Sequence, residues 1–434
     1  MRFDLFCSIA PTPVGGVLPP EATILRNFLA QCAAADELGY GTVWVAESHY
    51  SNESQKRHRH PVLTHWTGEV GLNADICQLA PQVFSRTRRI EVGSAIMNII
   101  CNGGPLPAAE RVATALTWHG LDPAERRRLH VGFAAGRFDY INRLTGVGPR
   151  AQWEELAWPQ VKGAIMAEAA EIFVRLLTGE ELSDAEVPET HLRPDQFREP
   201  GQWDAVVAAA GAGSTTNGLR VPRRWPFELT RIVPTQFRRD LLTLVIGSHD
   251  PRLQIHVNRF VPVQVFNLSI TRPEVIEQTH ERMRAAYHPA GGPWQRWYLP
   301  RTTFVFVNGH RGLDPSRQRA EAQDRARDAL AAYWRAMHGT VDPAKVADAA
   351  DNALVGNPDD VAEQIARRFH PDDRLMLWFD FFDHDNDRVV DAMTTMVTEV
   401  VPRLRDLGVT VDSSHDVGDQ QAAELPLAKV VRSE

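Results

Sequence analysis

Thr42-Val43-Trp44-Val45-Ala46-Glu47-Ser48-His49 is the stretch from which the fold can be read. Its apolar and β-branched opening predicts a short buried strand, and an acid, a hydroxyl and an imidazole follow where that strand ends. Upstream, Ala22–Leu38 carries Ile24, Phe28, Cys32 and Ala35 on one helical stripe and stops at Gly39. Before that helix lies Phe3–Ile9, a second compact apolar run. Strand, helix, strand in this order is the βαβ unit from which parallel sheets are built.

The rhythm continues along the chain. Further strands are expected at Ile90–Met97, Leu129–Ala134, Leu241–Gly247, Val261–Leu268, Thr302–Val307 and Leu375–Phe381. Helical patterns separate them: one ending near Ser85, then Ala108–Leu121, a long helix from about Ala151 to Leu177, Pro251–Arg259, Pro273–Tyr287, Ser316–His338 and Pro358–Phe369. Val389–Leu407 closes the series as a terminal helix. Eight strands alternating with helices predict an α/β fold, a (β/α)8 TIM barrel, with an open doubly wound sheet as the alternative. The expectation is a single barrel domain over residues 1–408. An insertion at about 179–224, between the long fourth helix and strand five, is expected to be mobile because of its Gly- and Ala-rich run at 209–218. Residues 409–434 read as a loose C-terminal tail.

Composition narrows the function. The 434 residues are 43% hydrophobic and 24% charged with a net charge of −8, so no basic field exists to draw nucleic acid or anionic lipid. Cys7, Cys32, Cys77 and Cys101 form no C-x-x-C pair, and four thiols in such a chain suit a reducing compartment better than a disulfide framework. No apolar run approaches the roughly 18 residues of a membrane span, and Met1–Phe6 reads as a strand start. A cytoplasmic protein without membrane or nucleic-acid partners is expected. No metal site is expected either: His58, His60 and His65 share their loop with Lys56, Arg57 and Arg59, whose charges oppose a cation.

In a β/α barrel the chemistry sits where strands end, at the C-terminal face. That rule picks out Glu47, Ser48 and His49 after strand two, and Asn98 past strand three. It also picks out Ala134-Ala135-Gly136 after strand four, Gly247-Ser248-His249-Asp250 after strand five, and Asp380 with His384 after strand eight. Gly247–Asp250 leads through Pro251 into a helix and can serve as an anion site or as an ordinary N-cap. Gly211-x-Gly213 lacks the third glycine of a dinucleotide fingerprint, and no phosphate-loop or nucleophile-elbow motif is present.

Six segments, in order, resemble the bacterial-luciferase-like flavin-dependent monooxygenases. They are Ala34–Tyr50, Thr87–Ala95, Pro107–Glu110, Val131–Gly136, Gly146-Val147-Gly148-Pro149-Arg150 and Val355-Gly356-Asn357-Pro358-Asp359-Asp360-Val361-Ala362. From the first segment to the last the resemblance spans about 330 residues. It implies a barrel that binds FMN at its C-terminal face, with reduced flavin supplied by a separate reductase. It further implies reaction with molecular oxygen and oxygenation of a small organic substrate, and a homo-oligomer is expected. Arg150 matches the arginine that grips the FMN phosphate, and Ser248, between Gly247 and His249, matches the phosphate-binding serine. Ala95-Ile96 falls where the family places a non-prolyl cis peptide beneath the flavin ring, with Asn98 within reach of the ring edge.

The chain also departs from the luciferase pattern. Where luciferase has two histidines after the glutamate, this chain has Ser48 and His49; the reactive cysteine and the arginine after it become Ala134 and Ala135. Light-emitting aldehyde oxidation is therefore not expected. His49 is the leading acid/base candidate, Ser48 the alternative and Glu47 the group that orients the imidazole. A deazaflavin-dependent hydride-transfer enzyme and a flavin-binding protein without turnover are the alternative readings.

Overall fold

A computed structural model describes residues 1–58, 61–211, 218–268, 271–338 and 353–413. Arg59, His60, the run 212–217 and the tail beyond 413 lie outside the described residues.

The barrel strands are β1 (Arg2–Cys7), β2 (Thr42–Val45), β3 (Glu91–Ser94, resumed at Met97–Asn98), β4 (Leu129–Ala134), β5 (Leu242–Ile246), β6 (Val263–Val265), β7 (Arg301–Val307) and β8 (Arg374–Trp378). All pair in parallel, in the order β7-β8-β1-β2-β3-β4-β5-β6. The two edges meet at a parallel bridge between Asn267, just past β6, and Arg301. There the Asn267 N–H donates to Pro300 O (3.0 Å) and the Thr302 N–H to Asn267 O (3.2 Å). The sheet thus curls into a barrel, as the alternation of elements requires. Leu354–Gly356 adds a short parallel strand on β7 that is too brief to leave a sequence period.

Side-chain alternation sorts the strands into two faces. Phe6, Trp44, Val245, Phe266 and Met376, from five strand regions, form one cluster inside the barrel. Leu5, Val43, Val45, Leu244 and Leu375 turn outward into the large core beneath the helices. Trp44 is fully buried and fits because Gly93 lies opposite; a Cβ there would stand 2.5 Å from the indole. The Trp44 indole N–H donates to Asp4 (2.6 Å), and Arg374 pairs with the same carboxylate at 2.5 Å. Removing one partner of such a buried ion pair costs about 3–5 kcal/mol.

Helix boundaries follow local chemistry. Helix Glu21–Leu38 ends on Gly39 at φ 86°, a left-handed cap that glycine adopts without penalty. The long fourth helix is interrupted: Gln152–Leu156 stops at Ala157, and Trp158–Leu177 restarts with Pro159 in its first turn, where no N–H is needed. The terminal helix runs Asn386–Thr395 and widens to a π turn at Met396–Val400 before Val401–Asp406; Pro402 has no N–H to continue the regular ladder.

Two segments differ from the sequence expectation. The described parts of the insertion pack against the barrel: Leu182, Val187, Leu192, Val206 and Val221 are buried, and His191–Leu192 pairs antiparallel with Leu219–Arg220. Scattered apolar residues without a period supply that core, so periodicity could not reveal it. The start of the expected loose tail is likewise bound. Val409 and Val411 are buried, the Asp412 N–H donates to Met1 O (2.8 Å), and the Met1 ammonium donates to Thr410 O (2.6 Å).

Candidate active site

Glu47, Ser48 and His49 leave the end of β2 at the C-terminal mouth. The His49 ring is 7% exposed and its Nε2 stands 3.0 Å from Glu47 Oε1. The same oxygen accepts from the Asn98 N–H (3.2 Å), tying the β2 loop to β3. On the other side of the ring, Asn102 Nδ2 stands 3.2 Å from His49 Nδ1, and the Tyr50 hydroxyl donates to Asn102 Oδ1 (3.0 Å). The Tyr140 hydroxyl reaches the His49 carbonyl at 3.4 Å. Burial works against a charge on His49. Hydrogen-bonding contacts with Cys101 and Glu47, and the Glu47 charge, outweigh it and raise the imidazole from 6.5 to about 9. These contacts favour the charged form of the ring.

Ser48 is half-buried in the loop that follows β2. Its N–H donates to Asn73 O (2.9 Å), and a Cβ on Gly71 would sit 3.7 Å from the Ser48 Cβ.

Asn98 is buried and holds the mouth together. Its Nδ2 donates to Asn142 Oδ1 (2.7 Å), its Oδ1 accepts from the Ile100 N–H (3.1 Å), and Asn142 Nδ2 donates to Ala135 O (2.9 Å). Gly136, at φ 70°, leaves room for this pair: a Cβ there would lie 2.3 Å from Asn98 Nδ2.

The Ala95–Ile96 peptide is cis. Ala95 and Ile96, with Ala46 and Trp378, are half-buried and cover the barrel-interior cluster with apolar surface. Gly247 completes this patch, since a Cβ there would stand 2.3 Å from Ile96 Cδ1 and 3.3 Å from Ala134 Cβ. At this end of the barrel Glu47 joins His49 and Asn98 by hydrogen bonds, while Ile96 packs against Gly247 beside the cis peptide.

The expected phosphate-binding residues carry other partners. Arg150 is exposed; its Nη1 donates to Arg223 O (3.1 Å) and its backbone N–H to Glu154 Oε2 (2.6 Å). Glu154 also pairs with Arg224 at 2.6 Å, both side chains 1% exposed, which anchors the insertion beneath Arg150. Ser248 is half-buried, and its hydroxyl accepts from the Asp250 N–H (3.2 Å). The Asp250 carboxylate caps helix Pro251–Val257 through the Arg252 N–H (2.9 Å), the N-cap arrangement left open by the sequence. His249 is exposed.

Sequence reasoning did not single out Asn102, Tyr50, Asn142 or Tyr140. Asn102 had a signal, because it opens Asn102-Gly103-Gly104-Pro105, a turn motif directly after a strand. Asn142 had none.

Residues 1–220 match the sequence profile of the family described as luciferase-like monooxygenase. The chain belongs to that family. This luciferase-like chain is accordingly an enzyme of the oxidoreductase class. Solved structures agree on the fold. The monooxygenase RslO1 from Streptomyces bottropensis superposes with a TM-score of 0.60 at 18% identity, covering 93% of this chain and 99% of that one. The oxygenating constituent of 3,6-diketocamphane monooxygenase from Pseudomonas putida, in complex with FMN, gives 0.52 at 15% identity over 93% and 98%. An F420-dependent secondary alcohol dehydrogenase, in complex with an F420-acetone adduct, gives 0.53 at 14% identity over 93% and 99%. No curated protein matches the chain. Among the described residues no helix is long and apolar enough to cross a membrane, and no cluster of three or more His, Cys, Asp or Glu could hold a metal ion.

Proposed function

We propose that this luciferase-like enzyme is an FMN-dependent monooxygenase that takes reduced flavin from a separate reductase and acts on a small organic substrate. The observation that carries this reading is the buried Glu47–His49 pair at the same end of the barrel as the apolar surface of Ala46, Ala95, Ile96 and Trp378.

The residues present fit a flat aromatic cofactor. Small side chains at Ala46 and Ala95 keep this half-buried surface apolar and low, and Gly247 makes room for the Ile96 side chain that completes it. Glu47 Oε2 is buried and has no hydrogen-bond partner among the described residues, so one acceptor remains for a polar group of a bound molecule. In this reading Arg150 holds the phosphate by its guanidinium fork, exchanging the Arg223 carbonyl for a charged partner, and Ser248 adds a hydroxyl. When bound, reduced FMN with molecular oxygen supplies the oxygenating chemistry. The chain contributes the rest. The apolar surface seats the ring and excludes water, Glu47 keeps the imidazole charged, and His49 holds a proton at the mouth for transfer to or from the reacting oxygen.

The test is the chromophore. The purified chain, loaded from a mixture of FMN and deazaflavin coenzyme, is expected to retain FMN by absorbance and mass and to consume oxygen when the flavin is reduced. Retention of the deazaflavin with substrate reduction and no oxygen uptake would replace this reading with hydride transfer. Flavin binding with no turnover on any substrate class would leave a binding protein.

A further inference from the structure

His49 presents a problem of hydrogen-bond direction that the structure itself resolves. With Asn102 Nδ2 facing His49 Nδ1 at 3.2 Å, the amide donates and the ring nitrogen accepts, which suits a neutral imidazole carrying its hydrogen on Nε2 toward Glu47. The amide is held that way by the Tyr50 hydroxyl, which donates to Asn102 Oδ1 at 3.0 Å. A charged ring carries hydrogens on both nitrogens, and its Nδ1–H would then face another donor. The conflict disappears if the Asn102 amide turns over: Oδ1 accepts from Nδ1–H, and Nδ2 donates to the Tyr50 oxygen, whose own hydrogen turns away. Tyr50 is 52% exposed, so water can take that hydrogen bond.

The backbone singles out the same two residues. Tyr50 (φ 61°) and Asn102 (φ 50°) are both left-handed, a region asparagine tolerates and a bulky aromatic rarely enters. Gly103 and Gly104, at φ 92° and 89°, let the chain leave the turn.

We propose that Asn102 is a positioning residue that works as an amide switch, with Tyr50 as its outer partner, satisfying His49 Nδ1 in both protonation states. The switch lets a buried ring gain and lose a proton without stranding a polar atom. The titratable groups facing the ring are Glu47 and Tyr50 from its own loop, Cys101 from the segment after β3, and Tyr140 from helix Asp139–Leu144. Among these Glu47 and Cys101 favour the charged ring, and the amide adds a partner that serves either form. This inference rests on the proposed role of His49, but its test reads the ring directly.

The full-length chain, labelled with ¹⁵N at histidine and assigned through His49→Gln, is titrated by NMR. In the unmodified chain the neutral ring is expected as the Nε2–H tautomer; the Nδ1–H tautomer would overturn the switch. Asn102→Asp, which can only accept at Nδ1, is expected to raise the His49 midpoint by at least one pH unit. Asn102→Leu, which takes the amide partner away from Nδ1–H, is expected to lower it by about as much. Shifts of the same sign in both variants, or none, would show a merely structural asparagine. If the opposite shifts appear while His49→Asn keeps full product formation, the switch stands and the catalytic role of His49 falls.

Discussion

Replacing Glu47 by glutamine changes a charge and almost no volume. The amide oxygen can still accept from the His49 ring and from the Asn98 N–H, so the mouth keeps its shape. What changes is the imidazole. Burial alone would lower it, and contacts with Cys101 and Glu47 raise it to about 9. With the Glu47 charge gone and burial unchanged, His49 moves back toward its ordinary 6.5. A full return is a drop of 2.5 units, or about 300-fold in the protonation equilibrium; half of it is still about 20-fold. If the imidazolium is the acid, product formation by Glu47→Gln falls up to ~30-fold at pH 8 and by less than ~2-fold at pH 6, because acid restores the charge. Flavin affinity, measured separately by fluorescence titration, should hold within about threefold, or ~0.7 kcal/mol. A loss of product equal at pH 6 and pH 8, or an unchanged profile, would refute the reasoning.

Three further outcomes are expected. Arg150→Ala should weaken FMN about 10–100-fold and riboflavin, which lacks the phosphate, much less, since one charge-assisted hydrogen bond contributes ~1.5–3 kcal/mol; equal losses in titration calorimetry would remove Arg150 from the phosphate. Arg224→Met strands the buried Glu154 carboxylate and should cost about 3–5 kcal/mol, read as a lower unfolding midpoint, with most of it recovered in Glu154→Gln/Arg224→Met. Asp380 is pushed up to about 7 by burial, partly offset by N–H groups of Ser8 and Ile9. The folded chain therefore holds this proton more tightly than the unfolded one, and the group's contribution is lost as pH rises from about 4 through 7. Asp380→Asn should flatten that part of the stability curve in denaturant melts; an unaltered slope would mean another group sets it.

What the sequence determined by itself is the order and character of the elements. Apolar strands such as Thr42–Val45 and striped helices such as Glu21–Leu38 are local patterns, because burial on one face must recur at the period of the backbone. Eight strands alternating with helices leave few arrangements, and the polar residues that follow each strand then fall at one end of the barrel. That rule singled out Glu47, His49, Asn98 and Gly247, and the family resemblance added Ala95 and Ile96. Tertiary structure decided everything that depends on which distant residues meet. Asn102 and Tyr50 lie 52 positions apart, and no period links either to the His49 ring; only the turn after β3 and the loop after β2 bring them to it. Arg224 finds Glu154 across 70 positions and so packs an insertion whose scattered apolar residues read as loose. The charge on His49 belongs to the same class: an imidazole's ordinary 6.5 is written in its residue type, whereas its rise to about 9 comes from a carboxylate and a thiol folded against it in a buried site.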